Sequence, residues 1–278
     1  MMLLELGKKL PPNVQNVVKK LFNRQFRRAL AMVYYRDSLA LIDKWVKQDK
    51  ETSNFYYRLT PLNRDHLAQL MVTVTGESYT RIVEYFDELE GDTELRNHLE
   101  GALRGTQYGK DIEIEYGRRL GWYTLVRVLK PRVVVETGVD HGVGSCVLAS
   151  ALLRNIAEGH PGKYYGTDIR TVAGQLFSGK YASSGRILYG DSITSLNQFD
   201  EKIDFFVNDS DHSGEYEYRE YIAIEDKLSD NGVILGDNAH ATDSLSRFSR
   251  ERGRKFLFFA EKPEQHWYPG AGIGISYK

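Results

Sequence analysis

The spacing of apolar and polar positions along this chain changes near residue 110. Before it, apolar side chains recur at helical intervals. Val14, Val17, Val18, Leu21, Phe22 and Phe26 fall at steps of three, four and one and line one helical face, behind Pro11 and Pro12 at its start. Thr60 followed by Pro61 reads as an N-cap and first helical position, with Gly76 as the stop. Ser78 and Gly91 bracket another helix, Asp92 and Gly105 a third. The pattern predicts a helical N-terminal region over residues 1–110.

Beyond it, a helical stretch at 112–129 ends at Pro131, and short β-rich runs then alternate with amphipathic ones. The runs are 132–136, 164–168, 186–189, 204–208, 232–237, 255–260 and 272–277. Helical stretches separate the first five, which predicts an α/β domain over 111–278 with a Rossmann-like, doubly wound, seven-stranded and mostly parallel sheet. The last two have only a short connection, at about 263–269, and suit an antiparallel C-terminal hairpin at one edge.

Composition narrows the functional classes. A chain of 278 residues with 41% hydrophobic positions has ample core material, which excludes wholesale disorder. Lys and Arg number 37 against 38 acids, so the chain is no polycation and nucleic acid is not the expected partner. Residues 1–36 are nonetheless locally basic, with Lys8, Lys9, Lys19, Lys20, Arg24, Arg27, Arg28 and Arg36 against Glu5. A solvated face or a subunit contact is the plain reading, an anionic partner the other. The lone Cys146 excludes a disulfide framework and a cysteine-based cluster. No apolar run approaches the ~20 residues of a membrane span, and the stretch at 1–4 is too short for a signal core. A cytoplasmic protein, off the membrane and homo-oligomeric, is expected.

In a doubly wound sheet, ligands bind beyond the carboxyl ends of the strands, and those ends are rich in acids here. The first strand ends at Glu136 and breaks into a turn with Gly138, Asp140, Gly142 and Gly144, then Ser145 and an apolar helix. Glycines permit close backbone approach to a ligand, but the spacing is not G-x-G-x-x-G. Glu136 and Asp140 would repel a pyrophosphate and favour a ligand bearing an amino group and a sulfonium. The second strand ends at Asp168, where an acid accepts from ribose hydroxyls. The third delivers Gly190, Asp191 and Ser192, the fourth Asp209, Ser210, Asp211 and His212, the fifth Asp237, Asn238 and His240. Adjacent strands lie about 4.8 Å apart, so the last two ends can converge, and two carboxylates with an amide oxygen are the hard donors that Mg²⁺ takes. Each acid alone reads equally as a cap or turn residue.

Together, residues 133–138, Asp168, Gly190-Asp191-Ser192, 209–212 and Asp237-Asn238 resemble class I S-adenosylmethionine-dependent methyltransferases. Among these they are most similar to the metal-dependent O-methyltransferases of catechols, caffeoyl-CoA and macrolide sugars. The likeness spans about 112–278. It implies that Glu136, Gly138 and Gly142 contact the methionine side of the cofactor, with Ser145 and Asp209 beside them. It further implies that Asp168 holds the ribose, that Asp191 and Ser192 lie by the adenine, and that Asp209, Asp237 and Asn238 hold Mg²⁺ or another divalent ion. Catechol enzymes carry a lysine base three residues after the first metal acid; His212 stands there, as in the macrolide-sugar branch, which favours a sugar-like or aliphatic hydroxyl. The implied reaction is methylation of a small hydroxylated acceptor with His212 as general base. The alternatives are a metal-independent N-, C- or O-methyltransferase on the same fold, or a nucleotide- or partner-binding protein without catalysis. The aromatic residues at 56–57, 216–221 and 266–268 are candidates for an acceptor pocket.

Overall fold

The computed structural model describes residues 11–48, 51, 56–104, 106 and 113–278, and the chain parts into two compact units, 1–49 and 50–278. Among the described residues, the first unit holds the helix α1 (Pro12–Trp45). It continues well past the apolar stripe at 14–26 because residues 27–45 lack glycine and proline and are rich in Arg, Ala and Leu, all good helix formers. None of its residues is buried.

The second unit begins with α2 (Pro61–Thr75), α3 (Tyr79–Glu90), α4 (Thr93–Leu103) and α5 (Arg119–Leu129). Three of the expected caps operate: Thr60 accepts from Asn63 N, Ser78 from Arg81 N and Asp92 from Leu95 N, each satisfying one orphan donor of a first turn. Gly76 closes α2 in the left-handed region. The stop expected at Gly105 lies outside the described residues, and the helix expected over 112–129 begins only at Arg119, after a turn at Gly117 and Arg118. Because α2 and α3 pack on α5, they share the core of the sheet, and the compact units part at 49/50 instead of 110.

The remaining elements are β1 (Val133–Thr137), α6 (Val143–Ala157), β2 (Lys163–Asp168), α7 (Gly179–Ala182), β3 (Gly185–Tyr189), α8 (Ser192–Gln198), β4 (Ile203–Asn208), α9 (Gly214–Ile224), β5 (Leu228–Asp237), α10 (Ser244–Glu251), β6 (Lys255–Ala260) and β7 (Gly272–Tyr277). The seven strands form one sheet in the order β3-β2-β1-β4-β5-β7-β6. The first five run parallel; β7 lies antiparallel between β5 and β6, so the C-terminal hairpin enters the sheet with its second strand inside. Alternate residues face opposite layers. Val134, Phe205 and Leu235 join the core with α2 to α6, while Val133, Val135, Phe206 and Ile234 join Leu196, Tyr221 and Phe248 on the other side. Strand order reverses between β1 and β4, which opens a crevice beyond their carboxyl ends.

Candidate active site at the strand ends

A cleft of about 400 Å³ opens there, lined by Gly138, Asp140, Asp168, Asp191, Ser192, Asp209 and Tyr216 among others. Its floor is the turn after β1. Gly138 has φ of +82°, and a Cβ on it would stand 1.9 Å from the Asp209 carbonyl oxygen, so the backbone of the β4 end occupies the space a side chain would need. Hydrogen bonds from Gly138 N to Thr167 O and from Asp209 N to Thr137 O, both 2.9 Å, tie the ends of β1, β2 and β4 together.

Glu136 lies beneath this turn, 1% exposed, and accepts from Ser145 Oγ at 2.7 Å and from the Tyr164 hydroxyl. Burial pushes its carboxyl up to about 7, although both hydrogen bonds pull the other way. Gly142 caps α6 in the left-handed region, and Ser145 sits in its first turn, spent on Glu136. Asp168 accepts from Asp140 N at 2.9 Å and Arg170 N at 2.8 Å, and the Arg170 side chain bridges it to Asp140. Burial tends to raise Asp140, but Arg170 and His141 together outweigh it and hold that carboxyl low. Asp191 accepts from the Thr194 hydroxyl at 2.8 Å and caps α8 through Thr194 N at 2.7 Å, which together keep it below the usual carboxylate range, and its other oxygen accepts from the Tyr216 hydroxyl at 2.8 Å. Tyr216 also meets Ser192 Oγ at 2.9 Å, so of the aromatic run at 216–221 this residue enters the cleft, whereas Tyr221 packs in the core.

Sequence reasoning missed the acid behind this wall. Glu220, on α9 and fully buried, accepts from Ser192, Ser210, Asn208 and Thr137, and burial pushes it up to about 7 despite those bonds. Its signal in the sequence is faint: an acid placed on the apolar side of an amphipathic helix.

The ends of β4 and β5 do converge. The Asp209 and Asp237 carboxyls are within hydrogen-bonding reach of each other, and burial together with the charge of Asp237 pushes Asp209 well above its ordinary value. His212 Nε2 lies 3.6 Å from Asp209 Oδ1 and 2.9 Å from Asn238 Nδ2, while its Nδ1 faces Glu217 at 3.6 Å. The expected ligand set is nevertheless engaged otherwise. Arg118, from the turn before α5, donates Nε to Asp237 Oδ1 and Nη2 to Asp237 Oδ2, both at 2.5 Å. With both oxygens of Asp237 on a guanidinium, this arrangement does not fit a divalent ion on Asp209, Asp237 and Asn238. Among the described residues, no three His, Cys, Asp or Glu side chains converge in a way that could hold a metal.

Arg118 continues to the Tyr57 hydroxyl at 2.8 Å and Glu261 Oε1 at 3.0 Å, and Tyr57 donates to Glu261 Oε2 at 2.8 Å. Burial lowers the guanidinium, but the Asp237 carboxylate more than offsets this and holds it well above its ordinary value. Around Tyr57 stand His266, whose Nε2 meets Glu51 at 2.7 Å, and Tyr268, with ring centroids 5.2 and 5.8 Å from that of Tyr57. His240 lies exposed, away from these contacts.

Residues 135–239 match the family model described as a methyltransferase domain. No curated protein sequence matches the chain. Among solved structures it is similar to an O-methyltransferase described as putative from Klebsiella pneumoniae, with TM-score 0.51 and 15% identity over 67% of this chain and 90% of that one. It is also similar to the O-methyltransferase TomG from Streptomyces achromogenes, involved in tomaymycin synthesis and solved with S-adenosylmethionine, with TM-score 0.50 and 15% identity over 67% and 89%. A methyltransferase from Geobacter sulfurreducens matches with TM-score 0.50 and 18% identity over 72% and 96%. At such identities the likeness establishes the fold. Residues 135–239 thus match a methyltransferase domain, and the sheet around them has the fold of these methyltransferases.

Proposed function

We propose that the protein methylates a hydroxyl oxygen of a small-molecule acceptor, with His212 as the general base. The observation that carries this reading is the continuity of the cleft, which runs from the Asp168 and Asp191 strand ends to Asp209, three residues before His212. The cleft suits the cofactor chemically: Asp168 would accept from ribose hydroxyls, Asp191 and Ser192 would meet an adenine edge, and Gly138 lines the side left for the methionine end. S-adenosylmethionine supplies an electrophilic methyl on a sulfonium, which leaves with the carbon–sulfur bond's electrons staying on sulfur.

The chain's own residues do the rest. With its Nε2 accepting from Asn238, the His212 ring carries its proton on Nδ1, toward Glu217, and keeps a lone pair on Nε2. The entering hydroxyl displaces the Asn238 amide from that lone pair, which takes the hydroxyl proton as the oxygen attacks, and Glu217 facing Nδ1 favours the imidazolium that results. Oriented attack is the larger contribution, as effective molarities of intramolecular reactions indicate. Tyr57, His266 and Tyr268 border the acceptor side, and α1 serves as the contact of a homo-oligomer, since its 34 residues expose Phe22, Phe26, Val33 and Tyr35.

Calorimetric titration of S-adenosylmethionine into the purified chain and its Asp168→Ala variant tests the cofactor site. An affinity loss of at least about tenfold in the variant is expected. An unchanged affinity overturns the assignment of Asp168. In a screen of hydroxylated acceptors followed by mass spectrometry, His212→Ala should lower turnover by roughly 10²–10⁴ while leaving cofactor affinity alone. Methylated nitrogen or carbon as the sole product sinks the oxygen reading.

A further inference from the structure

We infer that Arg118 is the resident cation of this site, standing on the carboxylate that the family's divalent ion would occupy, and that the site therefore takes up no divalent ion in its working state. The inference rests on the methyltransferase reading and deepens it. Both oxygens of Asp237 receive guanidinium hydrogens at 2.5 Å in the fork geometry that a carboxylate and an arginine share. The other end of the fork is fixed too: Nη1 donates to Tyr57 and Glu261, and Glu261 Oε1 accepts from Ala271 N at 2.7 Å. Three residues from separate parts of the chain, Tyr57, Asp237 and Glu261, thus hold one planar cation.

Local sequence explains how Arg118 reaches that place. Gly117 has φ of +51°, and a Cβ on it would come within 2.7 Å of the Tyr57 ring, so the turn packs flat on Tyr57 and directs the next side chain under the strand ends. Arg118 retains 13% side-chain exposure while the Asp237 and Glu261 side chains have none. What exposure this ion-paired trio keeps thus belongs to the Arg118 side chain. Two buried carboxylates around one arginine also give it no reason to leave, because departure would strand both as unpaired charges.

The arrangement makes a sharp claim about metal affinity. Manganese(II), followed by electron paramagnetic resonance, is titrated into the full chain with S-adenosylmethionine present, alongside Arg118→Met, Asp237→Asn and the double variant Arg118→Met/Asp237→Asn. The wild-type chain is expected to show no saturable uptake up to ~1 mM, the range of weak oxygen sites. Arg118→Met, which keeps an apolar stem and frees the carboxylates, should gain at least about tenfold in manganese affinity, and the double variant should lose that gain. Saturable binding by the wild-type chain that disappears in Asp237→Asn overturns the inference. So does a folded Arg118→Met that takes up no manganese. If Arg118→Met fails to fold, the wild-type titration still decides. Failure of cofactor binding, measured separately, would count against the methyltransferase reading, whereas manganese uptake would count only against the role of Arg118.

Discussion

Besides Asp209, two glutamates are kept where a carboxyl ordinarily is not. Glu136 and Glu220 flank the strand ends from opposite layers, and burial pushes both up to about 7 from an ordinary 4.5. A folded-state value above the unfolded one means that the native protein binds the extra protons. Stability is therefore greatest below about 4.5 in respect of these groups and falls as pH rises from 4.5 to 7, by up to ~3 kcal/mol for each at 1.36 kcal/mol per unit. Glu220→Gln keeps one acceptor oxygen and cannot ionise, so its denaturant midpoint should drop less between pH 5 and pH 8 than that of the wild-type chain. Parallel curves for the two proteins would show that Glu220 does not titrate in this window.

At the scale of elements, the turn from β1 to α6 is the part most dependent on one residue. Gly138→Ala forces a side chain into the left-handed region, at ~1–3 kcal/mol of strain, and onto the Asp209 carbonyl 1.9 Å away. The expected outcome is a thermally weakened protein that no longer binds S-adenosylmethionine, read by calorimetry; retained binding would mean that β4 can yield. The strands and this turn were legible in the sequence because their determinants are local: β-branched runs, caps and glycine breaks. The network of Arg118 was not, because no spacing relates Tyr57, Arg118, Asp237 and Glu261 until the sheet and α5 bring them together. The metal expectation shows the limit clearly. Asp209, Asp237 and Asn238 stand at the strand ends as their spacing implied, yet the partner of Asp237 comes from a turn 119 residues upstream. Similarly, the apolar stripe at 14–26 identified a helix but not its length, since residues 27–45 continue by propensity without a face to bury.

For the whole molecule, the split at 49/50 gives α1 a testable role. A chain lacking residues 1–48 should keep its sheet and cofactor affinity, since the remaining residues form a compact unit by themselves. Light scattering after size exclusion should then report a smaller assembly than the full chain forms. Identical masses would remove α1 from the subunit contact.

The pairing of Tyr57 with Glu261 also governs how the protein comes into being. These two hydroxyl and carboxyl groups are 204 residues apart, and Arg118 lies 143 from Glu261, so the site is closed by some of the longest loops the chain contains. During synthesis the cofactor side, from β1 to β4, leaves the ribosome well before β6 brings Glu261. A nascent chain at that stage exposes β5 as an unpaired edge and holds Arg118 with part of its counter-charge missing. Chains cut short after β5 lack Glu261 and the strand that covers β5, and should therefore be more readily cleaved by protease than the full chain.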